Sequence, residues 1–253
     1  MSDCKMEGVS TISGGVYEKM TVEGVGTCVG DVKAEEMRIG GVFKCMGAVE
    51  TGLLESDGTV EFRSSIRAKK IVADGVFAAK GDGKIEADEI RSDGVFNCAG
   101  PIEAGLMETG GTATVRSNVR AKKLVVDGML TAKAGKIEAD EIICGGFITA
   151  GEVSADRIDA DGVINAKEIV GDNIVIRSRM NKVVRFFAKK FSNVELIEAT
   201  TVELHGVLAK SVSGRDIVIG KNCGIDAVDC SGTLRIDPSA QVGKITGEYT
   251  MQN

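Results

Sequence analysis

The sequence predicts an all-β solenoid in which each turn of about 17 residues contains three short strands. Two observations predict it. The composition is rich in Gly (33 residues) and poor in Pro (2 residues), with 4% aromatic residues and no Trp, which suits stacked short strands joined by glycine turns. A glycine before a Val-Phe-type pair also recurs at nearly constant spacing, and such self-similarity is typical of a solenoid. These marker glycines are Gly24, Gly41, Gly58, Gly75, Gly94, Gly111, Gly128, Gly146 and Gly162.

Within a turn, apolar and small residues alternate in short runs, and alternate residues of a strand face the same side. Three inward pairs are therefore expected in each turn, for example Ile85 with Ala87, Ile90 with Ser92, and Phe96 with Cys98. An alanine between the first two pairs is expected where the chain bends, because only a methyl group fits there. These alanines are Ala34, Ala68, Ala87, Ala104, Ala121, Ala139 and Ala155. The marker glycine is expected to relax backbone restrictions at the next corner.

A longer repeat of three turns overlies the first. The segment from Ile66 to Lys80 returns, three turns further along, as Val119 to Lys133. The charge pairs that follow the bend alternate in sign. They either form a solvated face or help to select the register, since in-register stacking brings opposite charges together and a slipped stack loses these contacts. The pairs are Lys69-Lys70 followed by Asp88-Glu89, and Lys122-Lys123 followed by Asp140-Glu141.

The regular pattern stops after Ile176, and Arg177 to Phe191 has the spacing of an amphipathic helix with a basic face. Two interpretations stay open: an anchor on an anionic membrane surface, or a plug in which Phe187 and Phe191 cover the coil. Its apolar residues are Met180, Val183, Val184, Phe187 and Phe191, and its basic residues include Lys182, Arg185, Lys189 and Lys190. The chain thus divides into β-helix turns over 1–176, an insert over 177–193, and further turns with a loose tail over 194–253.

The C-terminal turns have a less certain register. Pro238 is expected to weaken continued strand pairing, and Glu248 to Asn253 are expected to be loose. Residues that fit further turns are Val202, Gly206, Val212, Ile217, Ile219, Ile225, Ala227 and Ile236.

Two surfaces are predicted to make contacts between molecules. The first and last turns of a solenoid leave open sheet edges, which template pairing with another chain. The position after each marker glycine should face outward yet is apolar. It is either a lateral contact or is partly covered by a neighbouring corner. Its residues are Val25, Val42, Val76, Val95, Met129, Phe147 and Val163.

Several other functions are not expected. The N-terminal residues lack the features of a signal peptide, and no long uninterrupted apolar run occurs, so a cytoplasmic protein is expected, possibly peripheral at the inner face of the cell membrane. A net charge of −6 argues against a nucleic-acid partner. Cys28, Cys45 and Cys98 fall where other turns carry alanine, which favours small buried residues over redox or metal chemistry.

No catalytic, cofactor or metal site is expected. His205 is the single histidine, so a catalytic triad or a zinc site would depend on one unsupported residue. Gly214 to Asn222 has the wrong spacing for a phosphate loop. Gly24, Gly26 and Gly30 have the wrong spacing for a dinucleotide site.

The repeat period, with its I-x-A-x-x-[IVM] and G-x-[VF]-x-[AC] motifs, resembles the bactofilins, which are polymer-forming bacterial cytoskeletal proteins. Ile12 to Ala34 and Val212 to Val228 are similar to the longer members from Firmicutes. The resemblance covers the chain except Arg177 to Phe191. It implies a right-handed parallel β-helix and nucleotide-independent filaments formed through contacts between helix ends. It also implies a scaffold role in cell shape, envelope organisation or motility. The alternative is a non-polymerising β-helical binding module or an acyltransferase-like enzyme.

Overall fold

The computed structural model describes residues 2–178 and 191–252. These residues form a parallel β-solenoid of about 14 turns with about 17 residues per turn and no helix, which confirms the predicted fold class. The chain divides into two compact units. Unit 1 comprises Met1–Lys122 and Gly128–Gly135, and unit 2 comprises Lys123–Asp127 and Lys136–Asn253. The predicted helical insert lies largely at 179–190, outside the described residues.

Unit 1 alternates short with longer strands. Every strand is parallel to its partners one turn before and after, so each position of the repeat forms a column. The strands are β1 Ser2–Met6, β2 Val9–Ile12, β3 Gly15–Val22, β4 Val25–Cys28, β5 Val32–Ile39, β6 Val42–Cys45, β7 Val49–Ser56, β8 Thr59–Phe62, β9 Ile66–Ala73, β10 Val76–Ala79, β11 Ile85–Ser92, β12 Val95–Cys98, β13 Ile102–Thr109 and β14 Thr112–Val115. β15 Val119–Val126 and β16 Met129–Cys144 begin in unit 1 and continue in unit 2.

The longer strands bend in the middle, which gives each turn three sides. In β5, Ala34 and Met37 are both buried while Glu35 and Glu36 between them face outward. The ladder passes from Ala34 to Glu36 and omits Glu35, as a bend requires. Ala34 is buried at this point, which confirms the predicted position of the bend. The expectation that only a methyl group fits there is wrong, since the same column holds Tyr17 and Thr51 on the adjoining turns.

The interior is filled by the predicted inward residues, which are all buried: Ile85, Ala87, Ile90, Ser92, Phe96 and Cys98. Phe43, Phe77 and Phe96 share one column, and Phe62 lies two positions along its strand from that column. The rings of Phe77 and Phe96 stack with centroids 4.6 Å apart and planes 5° apart. Aromatic stacking therefore adds to the apolar burial that holds these turns together.

The marker glycines are required for a different reason from the predicted one. None of them has a positive φ among the described residues, so the backbone freedom of glycine is not used. A Cβ at Gly41 would overlap the carbonyl oxygen of Gly24, and a Cβ at Gly58 would overlap that of Gly41. Consecutive turns approach so closely at this corner that a side chain has no space.

Unit 2 has longer, nearly continuous strands after β16. They are β17 Phe147–Ala160, β18 Val163–Arg177, β19 Ser192–His205, β20 Val207–Ile219, β21 Gly224–Cys230, β22 Thr233–Ile236, β23 Gln241–Thr246 and β24 Thr250–Met251. The register links Ile197, Val212, Val228 and Ile245, so each of these turns is slightly longer than the one before it.

The structure settles the C-terminal turns that the sequence left open. Five of the predicted inward residues are buried: Val202, Val212, Ile217, Ile219 and Ile225. Ala227 and Ile236 are half-buried, and Gly206 forms a left-handed turn with φ of 66°. The expectation that Pro238 weakens pairing is wrong, since it lies in the corner before β23, which pairs with β21. The tail is also less loose than expected, because Thr250 and Met251 pair with β22.

Candidate assembly surfaces

The first and last turns each present strand edges on one side. β1 pairs with β3 and β2 with β4, while β23 pairs with β21 and β24 with β22. Over residues 2–178 and 191–252, no strand covers the opposite edges of these four strands. Their outward N–H and C=O groups are available to another chain.

The terminal layers also expose apolar side chains that are buried elsewhere. In β23, Val242 and Ile245 stack on Ile225 and Val228, which are fully buried, yet both are only half-buried. Met251, which stacks on buried Leu234, is 55% exposed. At the first turn, Ile12 stacks on buried Cys28 and is half-buried. Each end therefore combines free backbone groups with an uncovered apolar layer.

An outward apolar column runs along the short strands of unit 1, and we call it the lateral column. Strand pairing places one residue of each turn in it, at the first position of the strand. Its members are Val9, Val25, Val42, Thr59, Val76, Val95, Thr112 and Met129. The predicted members Val25, Val42, Val76, Val95 and Met129 are 40% to 47% exposed. Neighbouring corners therefore cover each of these five side chains only in part.

The two predicted members in unit 2 differ. Phe147 is half-buried and Val163 is buried, so the prediction for Val163 is wrong. The following turn passes this corner with Phe191 and Ser192 instead of a glycine marker. The amide of Ile164 donates a hydrogen bond to Ser192 Oγ at 3.1 Å, so a bulkier chain lies beside Val163.

The chain leaves the coil after Ser178 and returns to it at Ser192, and we call residues 179–190 between them the insertion. The hydroxyls of Ser178 and Ser192 are 2.9 Å apart, and the amide of Ser178 donates to the carbonyl of His205 at 3.0 Å. The structure also shows that the predicted bounds of the insert, 177–193, are too wide. Arg177 ends β18 and pairs with His205, while Ser192 begins β19.

The predicted membrane-contact residues lie almost entirely outside the described residues. Phe191 is half-buried and lies beside Gly206, where its ring would contact an added Cβ at 3.9 Å. The others fall in 179–190: Met180, Lys182, Val183, Val184, Arg185, Phe187, Lys189 and Lys190. The described residues contain no helix that is long and apolar enough to cross a membrane.

A charged cluster beside the insertion was missed by the sequence analysis. Arg177 bonds Asp159 at 3.1 Å and Glu203 at 3.3 Å. Glu203 also lies 3.2 Å from Nε2 of His205, whose ring lies where a side chain at Gly220 would be. In the part of the chain that the structure describes, no hydroxyl or thiol hydrogen-bonds His205, and the cluster ties three turns together. The sequence did not reveal this cluster, because its residues are separated by turns of irregular length.

The buried cysteines have the chemistry of small apolar residues. Cys28 and Cys45 stack on consecutive turns and both are free thiols. Burial raises the pKa of Cys45 to about 12 and that of Cys98 to about 11. Cys45 and Cys98 therefore remain protonated and unreactive at neutral pH. The described residues contain no group of three or more potential metal ligands.

The stacked charges have the alternation that the sequence predicts. Lys70 lies 3.1 Å from Glu89, and Lys123 lies 2.8 Å from Glu141. A second outward column repeats the arrangement, with Lys33 2.5 Å from Glu50 and Arg67 3.3 Å from Glu86. That second column lines an open groove of about 520 Å³ in unit 1. The charges along this groove are therefore already paired with each other.

Unit 2 has a smaller groove of about 410 Å³ over its bend. Gly171, Ala199 and Gly214 stack there on consecutive turns, so the groove exists because these side chains are small. It is lined mainly by short polar and charged residues, among them Ser213 and Arg215. Ligand pockets are usually deeper and more apolar.

No protein-family model matches the chain, and no solved structure matches it. The chain is similar to the uncharacterized protein YhbE of Bacillus subtilis (strain 168), with 36% identity over 69 residues. These residues cover 27% of this chain and 29% of the relative, so the chain spans under a third of the curated relative it matches.

Proposed function

We propose that this protein is a structural scaffold that assembles end to end into filaments without a nucleotide, as its resemblance to the bactofilins implies. The observation that supports the proposal is the pair of terminal turns, each with free strand edges and an uncovered apolar layer. Strand addition at such an edge forms backbone hydrogen bonds and buries side chains in one step. Full burial of each side chain such as Ile245 or Met251 contributes roughly 1.5–3 kcal/mol.

The end contact is tested with a variant of the last turn. Ile245→Lys with Met251→Lys places two charges in the terminal layer, where pairing with another molecule would desolvate them. We expect wild-type filaments in negative-stain images without nucleotide and at least a tenfold loss of sedimentable protein in the variant. The control is Leu208→Lys with Met46→Lys, since both residues are exposed and apolar but lie away from the first and last turns. A uniform small particle in the wild type, or equal loss in the control, would contradict the proposal.

We further propose that the insertion holds the scaffold at an anionic membrane surface. Residues 179–190 combine apolar side chains at helical spacing with basic ones and no acidic one. Apolar burial in the headgroup region adds to about 1 kcal/mol per basic residue near anionic lipid. Since Ser178 and Ser192 lie side by side, such a contact would leave the coil itself intact.

Liposome co-sedimentation distinguishes this anchor from a plug that covers the coil. Val183→Glu with Phe187→Glu should abolish binding to anionic vesicles and leave the melting temperature close to that of the wild type. If the segment is instead a plug, the variant should have a lowered melting temperature, and the wild type should not bind vesicles. Val76→Glu, an exposed apolar residue of unit 1, serves as the matched control.

The binding-module alternative is less well supported. The larger groove in unit 1 is lined by charges that already pair with each other, so it offers few free groups to a ligand. The cluster around His205 places no nucleophile beside the imidazole within the described residues. Among the residues that the structure describes, no arrangement therefore supports an acyltransferase-like reaction.

A further inference from the structure

We propose that Asp82 is a modification site, at which the chain isomerises to isoaspartate through a succinimide ring formed with Gly83. The sequence contains six Asp-Gly pairs, in which the glycine has no side chain to hinder ring closure. The aspartates of these pairs are Asp57, Asp74, Asp82, Asp93, Asp127 and Asp161. The inference goes beyond the proposed scaffold function and does not depend on filament assembly.

The amide nitrogen of the glycine distinguishes these pairs. All six aspartates are exposed, so access to water is the same for each. In five pairs the glycine amide donates a hydrogen bond of 2.9–3.2 Å to a carbonyl of the preceding turn. An amide held in this way cannot turn towards the side chain of its own aspartate. The five held amides are those of Gly58, Gly75, Gly94, Gly128 and Gly162.

The amide of Gly83 is the exception. It donates no hydrogen bond to any residue that the structure describes. Gly83 lies in the corner between β10 and β11, which has five residues (80–84), whereas the corners stacked on either side of it have three each (63–65 and 99–101). The two extra residues have no counterparts in the adjacent turns. This explains why the Gly83 amide lacks the bond that the other five make.

The isomerisation is balanced without a co-reactant. The nitrogen of Gly83 bonds to Cγ of Asp82 and loses its proton, and the hydroxyl of the carboxyl group leaves with that proton as water. A water molecule then opens the ring at either carbonyl. Opening at Cγ restores aspartate. Opening at the main-chain carbonyl gives isoaspartate, in which the chain runs through Cγ and the α-carboxylate is free.

The free α-carboxylate defines the class of enzyme that would act on this site. An isoaspartate methyltransferase transfers a methyl group from the sulfonium of S-adenosylmethionine to an oxygen of that carboxylate, and S-adenosylhomocysteine leaves. Asp82 is exposed in a corner that projects two residues beyond its neighbours. Such an enzyme can therefore reach it without unwinding the strands.

The modification would also affect the stacking of turns. A Cβ at Gly83 would lie 2.5 Å from the amide nitrogen of Ser65, and one at Gly100 would overlap the carbonyl oxygen of Gly83. Isoaspartate adds one methylene group to the main chain between these two contacts. Because the corner is closely packed on both sides, the adjacent turns must shift to admit it.

Ageing of the wild-type protein tests the site. Native protein and protein unfolded in guanidinium chloride are incubated for several weeks at neutral pH and digested with a protease that cuts after arginine. Electron-transfer fragmentation locates isoaspartate, because it cleaves the Cα–Cβ bond that only isoaspartate has in its main chain. We expect at least tenfold more isoaspartate at position 82 than at any other Asp-Gly pair of the native protein. The unfolded sample should show similar amounts at all six.

A pair of matched variants provides a second measurement. Asp82→Glu keeps the charge but cannot form the five-membered ring, and Asp74→Glu makes the same change at a pair whose amide is held. After native ageing, each protein is unfolded and given an isoaspartate methyltransferase with radiolabelled S-adenosylmethionine. Asp82→Glu should accept at least fivefold less methyl label than the wild type, and Asp74→Glu should accept the same amount.

Several results would overturn the inference. They are equal isoaspartate at all six pairs of the native protein, more at another pair, none at position 82 above the fresh sample, or undiminished labelling of Asp82→Glu. An excess at position 82 in the unfolded sample would show that the local sequence selects the site, and would refute the argument from the fold. None of these results bears on filament formation, since the test needs no assembly.

Discussion

At the scale of single residues, the close approach of consecutive turns decides which positions tolerate a side chain. Gly40 and Gly41 are adjacent in sequence, yet a Cβ at Gly40 would meet no atom within 4 Å, while one at Gly41 would overlap the carbonyl of Gly24. Both have ordinary φ values. The difference is therefore one of space alone.

This contrast gives a matched pair of variants. Gly41→Ala should lower the free energy of unfolding by about 1–3 kcal/mol, because the turns must separate to admit the methyl group. Gly40→Ala should be neutral or should stabilise by about 0.4–1 kcal/mol, since alanine restricts the unfolded chain. Urea denaturation followed by circular dichroism measures both. Equal effects of the two substitutions would refute the steric explanation.

At the scale of strands, stacked charges reinforce the register that the apolar columns set. Glu61 in β8 is the centre of one such group, 2.5 Å from Lys80 and 2.6 Å from Arg63. Hydrogen bonding from Lys80, with Arg63 beside it, lowers the pKa of Glu61 to about 2. A one-residue slip of β8 would turn Glu61 inward and lose these contacts.

The lowered pKa of Glu61 predicts how stability depends on pH. A carboxylate whose pKa is lower in the folded state stabilises the fold above its unfolded pKa of about 4.3, and this contribution is lost as the pH falls towards about 2. Glu61→Gln should therefore be less stable than the wild type at neutral pH, and the difference should shrink between about pH 5 and about pH 2. Urea midpoints measured across this range test it, with Glu35→Gln at an exposed bend position as the control. A difference that stays constant with pH would contradict the assignment.

At the scale of the whole molecule, the fold places the surfaces that we propose for assembly at the first and last turns. A parallel solenoid pairs every internal strand on both sides, so the free backbone groups collect at its first and last turns. Unit 1 carries the N-terminal edge and the lateral column, and unit 2 carries the C-terminal edge and the insertion. The proposed contacts thus use separate surfaces, which is why their variants can be tested one at a time.

Much of unit 1 could be predicted from the sequence because the repeat is nearly invariant there. The inward pairs, the alanine bend and the opposite charges on consecutive turns all follow from the repeat period combined with strand alternation. In unit 2 the turns vary in length, and the pairing of Asn165 with Asn193 skips the whole insertion. For this reason the cluster of Arg177, Glu203 and His205 and the burial of Val163 were not predicted.

The sequence by itself determined that the chain winds through stacked turns, and which side chains fill them, because alternation and period are local properties of neighbouring residues. Only the tertiary structure decided how closely the turns approach, which outward residues stay exposed and which charges meet. Those outcomes depend on distances between residues of different turns, and small changes in turn length alter them without changing the local pattern.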